Sequence, residues 1–179
     1  LDVKSAFLNG YLEEEIYMKL PGEYARADGK VCKLNRAIYG LRQAPRAWSK
    51  RLCDDLKGCG FTSLVNAESV FQRMVTGTVV YLIIYVDDIL VASASEQAAV
   101  MAKDSLGKLY KVKDLGKAEY FLGVKIEREQ NRLRLSQESY VISVLERYGM
   151  QDAKPVVTPM VQSSDLMAKS PRSDSETSR

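Results

Sequence analysis

The chain has 179 residues, 46% of them hydrophobic, with a formal charge of +3, three cysteines and no histidine. That length and apolar content suit one domain with a sizeable core, and the lack of an apolar run of about eighteen residues excludes a membrane-spanning helix. Without histidine and without a CxxC pair, zinc fingers, zinc knuckles, histidine triads and histidine proton shuttles are excluded within this chain.

The sequence opens on Leu1 inside an apparent strand, with neither methionine nor a signal-peptide pattern, and reads as part of a longer protein. "LDVKSAFL" is the end of a strand running into a turn or short helix. "EEEIYMKLPGEY" is a short strand closed by Pro21-Gly22, and "KVCKLN" is another. In "APRAWSKRLCDDLKGCG" the residues Ala44, Ala47, Trp48, Leu52, Leu56 and Cys59 recur at helical spacing, with Pro45 suited to a first turn and Gly58 or Gly60 to the end. "SVFQRMV" and "VVYLIIYV" are strands separated by Thr76-Gly77-Thr78. Ser95 caps a helix over 96–110 whose apolar stripe is Ala98, Met101, Ala102, Leu106 and Leu109. "YFLGVKIERE" and "NRLRLSQ" form a hairpin across Gln130-Asn131. A last helix, "SQESYVISVLERYG", carries Tyr140, Val141, Val144, Leu145 and Tyr148 on one face and stops at Gly149. From Val161 onward six of nineteen residues are serine and none is aromatic, which predicts a disordered tail.

Charge is distributed unevenly. Residues 30–57 hold eight basic side chains (Lys30, Lys33, Arg36, Arg42, Arg46, Lys50, Arg51, Lys57) against Asp54 and Asp55, a local net of +6. The three cysteines, Cys32, Cys53 and Cys59, form no pattern and fit a reducing, intracellular setting.

The chemistry concentrates at Asp87-Asp88. All eight residues from Val79 to Val86 are apolar, and Ile89 to Ala92 is apolar again. A tight hairpin between such strands favours a glycine-containing pair. Two adjacent carboxylates at roughly 4 Å and an effective dielectric near 20 repel by about 4 kcal/mol, so a divalent cation is the first candidate to offset them. Neighbouring strand residues point to opposite faces, so a turn must bring one carboxylate towards a partner. Asp2, at the end of the first strand, is the best partner: Asp2 and Asp87 are expected to converge at the ends of adjacent strands, with Asp88 beside them. The residues alone leave open an ordinary acidic turn at Asp87-Asp88, a surface or capping aspartate at Asp2, and a solvated face for the basic helix.

The order of blocks narrows this. "LDVKSAFLNGYLEEEIYMKLPGEY", "CKLNRAIYGLRQAPRAWSKRL", "YLIIYVDDILVA" and "LGKAEYFLGVKIER" closely resemble successive blocks of the reverse transcriptase of copia-type LTR retrotransposons, over about residues 1–160. "TPM" at 158–160 resembles the entry to the linker before the ribonuclease H domain.

The resemblance implies an α+β fold: a right-hand polymerase palm (a ferredoxin-like antiparallel sheet with helices on one face) with part of the fingers, incomplete at the N-terminus. It assigns 1–160 to palm and partial fingers, and 161–179 to a linker tail. It implies RNA-directed DNA polymerase activity, with Asp2, Asp87 and Asp88 holding two Mg²⁺ (or Mn²⁺) ions. Phe7 resembles the steric gate against a ribose 2′-OH, and Gln43 a residue lining the nucleotide pocket. Phe121, Leu122 and Gly123 resemble the hairpin that grips the primer end. A lysine before that hairpin, Lys111, Lys113 or Lys117, is a candidate general acid. The implied partners are an RNA template, a DNA primer, dNTPs and the rest of a Pol polyprotein, in the cytoplasm within a virus-like particle, with no membrane. In the family the basic residues that clamp the triphosphate lie upstream of "LDVKSAF", so the isolated chain is expected to be weakly active or inactive. A non-catalytic nucleic-acid-binding module and an inactive truncated relic are the competing readings.

Overall fold

The computed structural model describes residues 1–22 and 30–157; the predicted disordered tail lies outside them. The chain divides into two compact units, Leu1–Arg134 and Leu135–Arg179. Among the described residues the architecture mixes antiparallel sheets with three α-helices.

The first unit opens with β1 (Asp2–Val3), a 3-10 helix (Ala6–Asn9), β2 (Tyr11–Lys19) and β3 (Val31–Arg36). Helix α1 (Ala44–Gly58) follows, then β4 (Thr62–Leu64), β5 (Ala67–Val75), β6 (Thr78–Tyr85) and β7 (Asp88–Ser93). Helix α2 (Glu96–Leu109) leads to β8 (Val112–Lys113), β9 (Tyr120–Phe121), β10 (Val124–Glu129) and β11 (Arg132–Ser136), which reaches the boundary of the unit. A six-stranded sheet has the order β4-β5-β6-β7-β1-β8, and β2-β3 form a separate ribbon. Two strands there, β4 and β8, are additional to the sequence reading; at three and two residues they are too short to carry a period.

The period-2 alternation of the strands sets the layers. Val80 and Leu82 of β6, Phe71 and Val75 of β5, Ile89 of β7 and Val3 of β1 enter one core. Trp48, Leu52 and Leu56 of α1 and Ala98, Ala102 and Leu106 of α2, each set at i, i+4, i+8, join that same core. Burying a side chain such as Leu52 or Leu82 contributes about 1.5–3 kcal/mol. The opposite face of the sheet presents Tyr81, Ile83 and Tyr85 of β6, of which Tyr81 and Tyr85 are exposed. Ser95 caps α2 as expected, its Oγ accepting the Ala98 N–H at 3.3 Å.

One expectation is corrected. "YFLGVKIERE" is not one strand: it turns at Leu122-Gly123, and Phe121 pairs with Val124 across that turn. Leu122 and Gly123 both have positive φ, 51° and 78°, the type I′ geometry of a two-residue hairpin. Leucine at the first turn position hides the turn from periodicity, but it falls at Phe121-Leu122-Gly123, where the resemblance implied a hairpin.

In the second unit α3 (Glu138–Arg147) occupies the expected segment, and Gly149 follows with φ 62°. Its apolar residues are not core: none in α3 is buried, and Tyr140, Val141 and Leu145 are exposed.

Candidate active site

The two-residue loop joining β6 to β7 is Val86-Asp87, since Tyr85 pairs with Asp88. Asp88 is therefore the first residue of β7, one position later than a turn centred on both aspartates requires. Val86 has φ 54° and Asp87 does not share it. Positive φ at the first loop residue alone is the type II′ pattern, in which glycine is usual.

Strand β1 lies between β7 and β8, and Asp2 pairs directly with Asp88 on one side and with Lys113 on the other. The cross-strand partner of Asp2 is Asp88, and Asp87 stands one residue earlier in the adjoining loop. The Val3 N–H donates to the Asp87 carbonyl at 2.8 Å and the Ile89 N–H to the Leu1 carbonyl at 2.9 Å. Those bonds flank Asp2 and Asp88, which form the non-hydrogen-bonded pair, the type in which facing side chains come closest. Direct cross-strand partners share a face. Asp2, Asp88 and Lys113 therefore stand in one row, on the face opposite Val3 and Ile89 and hence opposite the helices.

Electrostatics agree with that proximity. The Asp88 carboxyl is raised above its ordinary value by burial first, then by the charges of Asp87 and Asp2, against an opposing pull from the N-terminal amine. Among the described residues no lysine or arginine forms an ion pair with any of the three aspartates. Nor do three His, Cys, Asp or Glu side chains there form a ready-made cage around one ion. Carboxylate oxygens are the donor type a hard divalent cation such as Mg²⁺ takes.

The turn is braced from the core. The Trp48 indole N–H of α1 donates to the Val86 carbonyl at 2.6 Å. Trp48 meets Tyr110 edge-on, with ring centroids 5.0 Å apart. The Tyr110 hydroxyl donates to Asp55 at 2.5 Å, and Arg51 donates to the same carboxylate oxygen at 2.7 Å. Burial, followed by the bond to Asp55, pushes the Tyr110 phenol well above its usual value. Helical spacing marks Trp48 only as a core position; its polar contact has no local signature.

Phe7 sits half-buried on the 3-10 helix with its ring 4.6 Å from that of Tyr39. It lines a cleft of about 320 Å³ together with Trp48, Ser49, Glu68, Tyr85 and Val86. Gln43, immediately before α1, lines a different cleft of about 110 Å³ with Tyr11, Glu13, Arg46 and Lys50. Phe121 shares a third cleft, of about 450 Å³, with Asp88, Ile89, Leu90, Lys117 and Tyr120. The structure thus links Phe7 to the Val86 turn and Phe121 to Asp88, while Gln43 opens elsewhere. Of the candidate lysines, Lys113 lies in the Asp2–Asp88 row and Lys117 lines the Asp88 cleft.

The basic segment is less unbalanced than its own window suggests, because β2 brings three glutamates alongside it. Lys33 pairs with Glu15 and Lys50 with Glu13, and Arg51 is held by Asp55. Arg36 lies 3.9 Å over the Tyr11 ring.

The first unit is thus an antiparallel sheet with helices on one face and the paired Asp2 and Asp88 on the other, beside a turn whose first residue has positive φ. The family described as Reverse transcriptase (RNA-dependent DNA polymerase) matches residues 1–162. The Retrovirus-related Pol polyprotein from transposon TNT 1-94 of Nicotiana tabacum is 42% identical over 94% of this chain, and that from transposon RE1 of Arabidopsis thaliana 40% over 93%. The Putative transposon Ty5-1 protein of Saccharomyces cerevisiae is 34% identical over 93% of the chain and is itself covered to 55%. No solved structure matches. The chain belongs to the reverse transcriptase family, and its relatives are copia-type Pol polyproteins, as the four sequence blocks implied. It spans 13% and 12% of the length of the two plant polyproteins. Among the described residues no helix is long and apolar enough to cross a membrane.

Proposed function

We propose that this chain is the palm and part of the fingers of an RNA-directed DNA polymerase within a retrotransposon Pol polyprotein. The observation that carries the reading is the direct pairing of Asp2 with Asp88 beside the Asp87 turn, on the face of the sheet away from the helices. Asp2, Asp87 and Asp88 would hold two Mg²⁺ or Mn²⁺ ions, which when bound activate the primer 3′-hydroxyl and neutralise triphosphate charge. The primer oxygen bonds to the α-phosphorus, the bond from that phosphorus to the bridging oxygen breaks, and pyrophosphate leaves. Positioning and charge stabilisation supply most of the catalysis in such transfers.

The chain's own residues take the remaining roles. The Phe7 ring crowds a ribose 2′-OH and so selects deoxynucleotides. The Phe121-Leu122-Gly123 hairpin, across the Asp88 cleft, holds the primer end, and Gln43 contributes to the template side of the nucleotide pocket. Lys113, opposite Asp2, is the best placed of the three lysines to protonate pyrophosphate; Lys111 and Lys117 serve as its controls. Template, primer and dNTPs are the partners, with the longer Pol chain supplying the remaining contacts.

Primer extension on an RNA template tests the reading. This chain alone should extend a DNA primer barely or not at all, and a longer Pol chain that includes the upstream basic segment should do so with Mg²⁺. In that longer protein Asp2→Asn and Asp88→Asn should each lower the rate by about a hundredfold or more, the scale of a lost transition-state stabiliser. Phe7→Ala should admit ribonucleotides. Synthesis indifferent to Asp2→Asn rejects the three-aspartate mechanism, and unchanged sugar selectivity in Phe7→Ala rejects the gate. A well-folded long chain without synthesis would favour the binding-module or relic reading.

A further inference from the structure

Val86 holds φ at 54°, a conformation that a β-branched side chain strongly disfavours. It opens the loop that carries Asp87 and leads into Asp88. Backbone of this kind persists only where the surroundings over-determine it. Here the Val86 carbonyl has a partner in Trp48, whose Nε1–H donates to it at 2.6 Å. The indole is itself fixed: it is 2% exposed, and it meets Tyr110 edge-on. Tyr110 is tied in turn to Asp55. A buried indole N–H needs an acceptor, and this one finds it at the peptide that orients the acidic turn.

We propose that Trp48 is a positioning residue: its indole N–H holds the Val86-Asp87 peptide in the strained orientation that presents Asp87 and Asp88. The catalytic meaning of this strut rests on the two-ion reading above, but its geometry is testable with no metal present.

Trp48→Phe keeps an aromatic ring in the core and removes the donor. Val86→Gly removes the strain, because glycine takes positive φ freely. In ¹H–¹⁵N spectra of the full chain without divalent ions, Trp48→Phe should move the Asp87 and Asp88 amide resonances. Adding Val86→Gly to that variant should return them towards their wild-type positions. A merely space-filling tryptophan would give no such rescue. Titration with Mn²⁺, read as broadening of the same resonances, should show apparent affinity about tenfold weaker in Trp48→Phe, the scale of a lost supporting contact, and recovered in the double variant.

Because the chain has a single tryptophan, its one indole resonance gives a measurement independent of the variants. A slowly exchanging Nε1–H in the wild type supports the strut. A rapidly exchanging one overturns it, including where Trp48→Phe fails to fold. Unmoved Asp87 and Asp88 resonances in a folded Trp48→Phe protein also overturn it. A protected indole and a turn that responds to Trp48→Phe, with no Mn²⁺ broadening in the wild type, would keep the strut and reject the two-ion reading.

Discussion

At Asp88 burial, Asp87 and Asp2 all favour the protonated carboxyl, with only the N-terminal amine opposing them. The folded-state value therefore lies above that of the unfolded chain. Stability from this group is fully present below the ordinary aspartate value and is lost as pH rises through the raised one. Asp88→Asn imitates the neutral form. Without divalent ions it should raise Tm at pH 7 slightly, because solvent around this partly exposed carboxyl screens the repulsion. The gain should vanish near pH 3. Adding Mg²⁺ should raise the Tm of the wild type by mass action and leave Asp88→Asn and Asp87→Asn nearly unmoved. Thermal melts of the three proteins at two pH values, with and without Mg²⁺, check both statements; an equal Mg²⁺ shift in all three would place the ions elsewhere. The Asp pair was conspicuous in the sequence because two charges interrupt an apolar run. Its pairing was not: whether Asp87 or Asp88 faces Asp2 depends on a one-residue offset of the loop, and an offset of one exchanges the two faces of a strand.

Among the elements, loops and close approaches separate what patterning reveals from what it hides. Helices α1 and α2 were legible because their apolar residues repeat at helical spacing and Ser95 supplies a cap. Among the described residues, three of the four non-glycine residues with positive φ are Ser5, three residues after Asp2, Val86, next to Asp87, and Leu122, in the Phe121 hairpin. Strained backbone collects at functional sites, and no propensity rule places Val or Leu there. Gly10 shows a different constraint. A Cβ built on it would stand 2.8 Å from the Trp48 backbone nitrogen and 3.0 Å from the Ala47 carbonyl carbon. The chain after the 3-10 helix thus passes against the backbone of α1, which cannot yield as a flexible side chain would. Gly10→Ala should destabilise by about 1–3 kcal/mol, the range for overpacking. Chemical denaturation read against wild type tests this, and a variant within error of wild type would mean that α1 shifts freely. Since α1 carries Trp48, the same substitution should also disturb the Asp87 amide resonance.

For the molecule as a whole, β1 has consequences out of proportion to its two residues. It is inserted between β7 and β8, carries Asp2, and buries Val3 to 1% exposure. Removing residues 1–4 should unpair both neighbours and expose the core beneath Val3. Losing that burial, about 1.5–3 kcal/mol, should lower Tm by about 3 °C or more and abolish the Mg²⁺-dependent shift. Full retention of Tm and of the shift would show that β1 is dispensable to both sheet and site. Charge follows the same logic: the excess over residues 30–57 is a property of that window, and β2 answers Lys33 and Lys50 with Glu15 and Glu13 from outside it.

The sequence by itself determined the family, most of the regular elements and the identity of the candidate aspartates. These are written in local runs: periodic apolar residues, caps, and blocks long enough to match in order and spacing. Only the tertiary structure decided the register that sets Asp2 against Asp88 and Lys113, the separation of Gln43 from the Phe7 cleft and the bond from Trp48 to Val86. Each of these joins residues far apart in the chain or hangs on a one-residue offset, and such relations become definite only when strands pair and a shared core fixes which side chains meet.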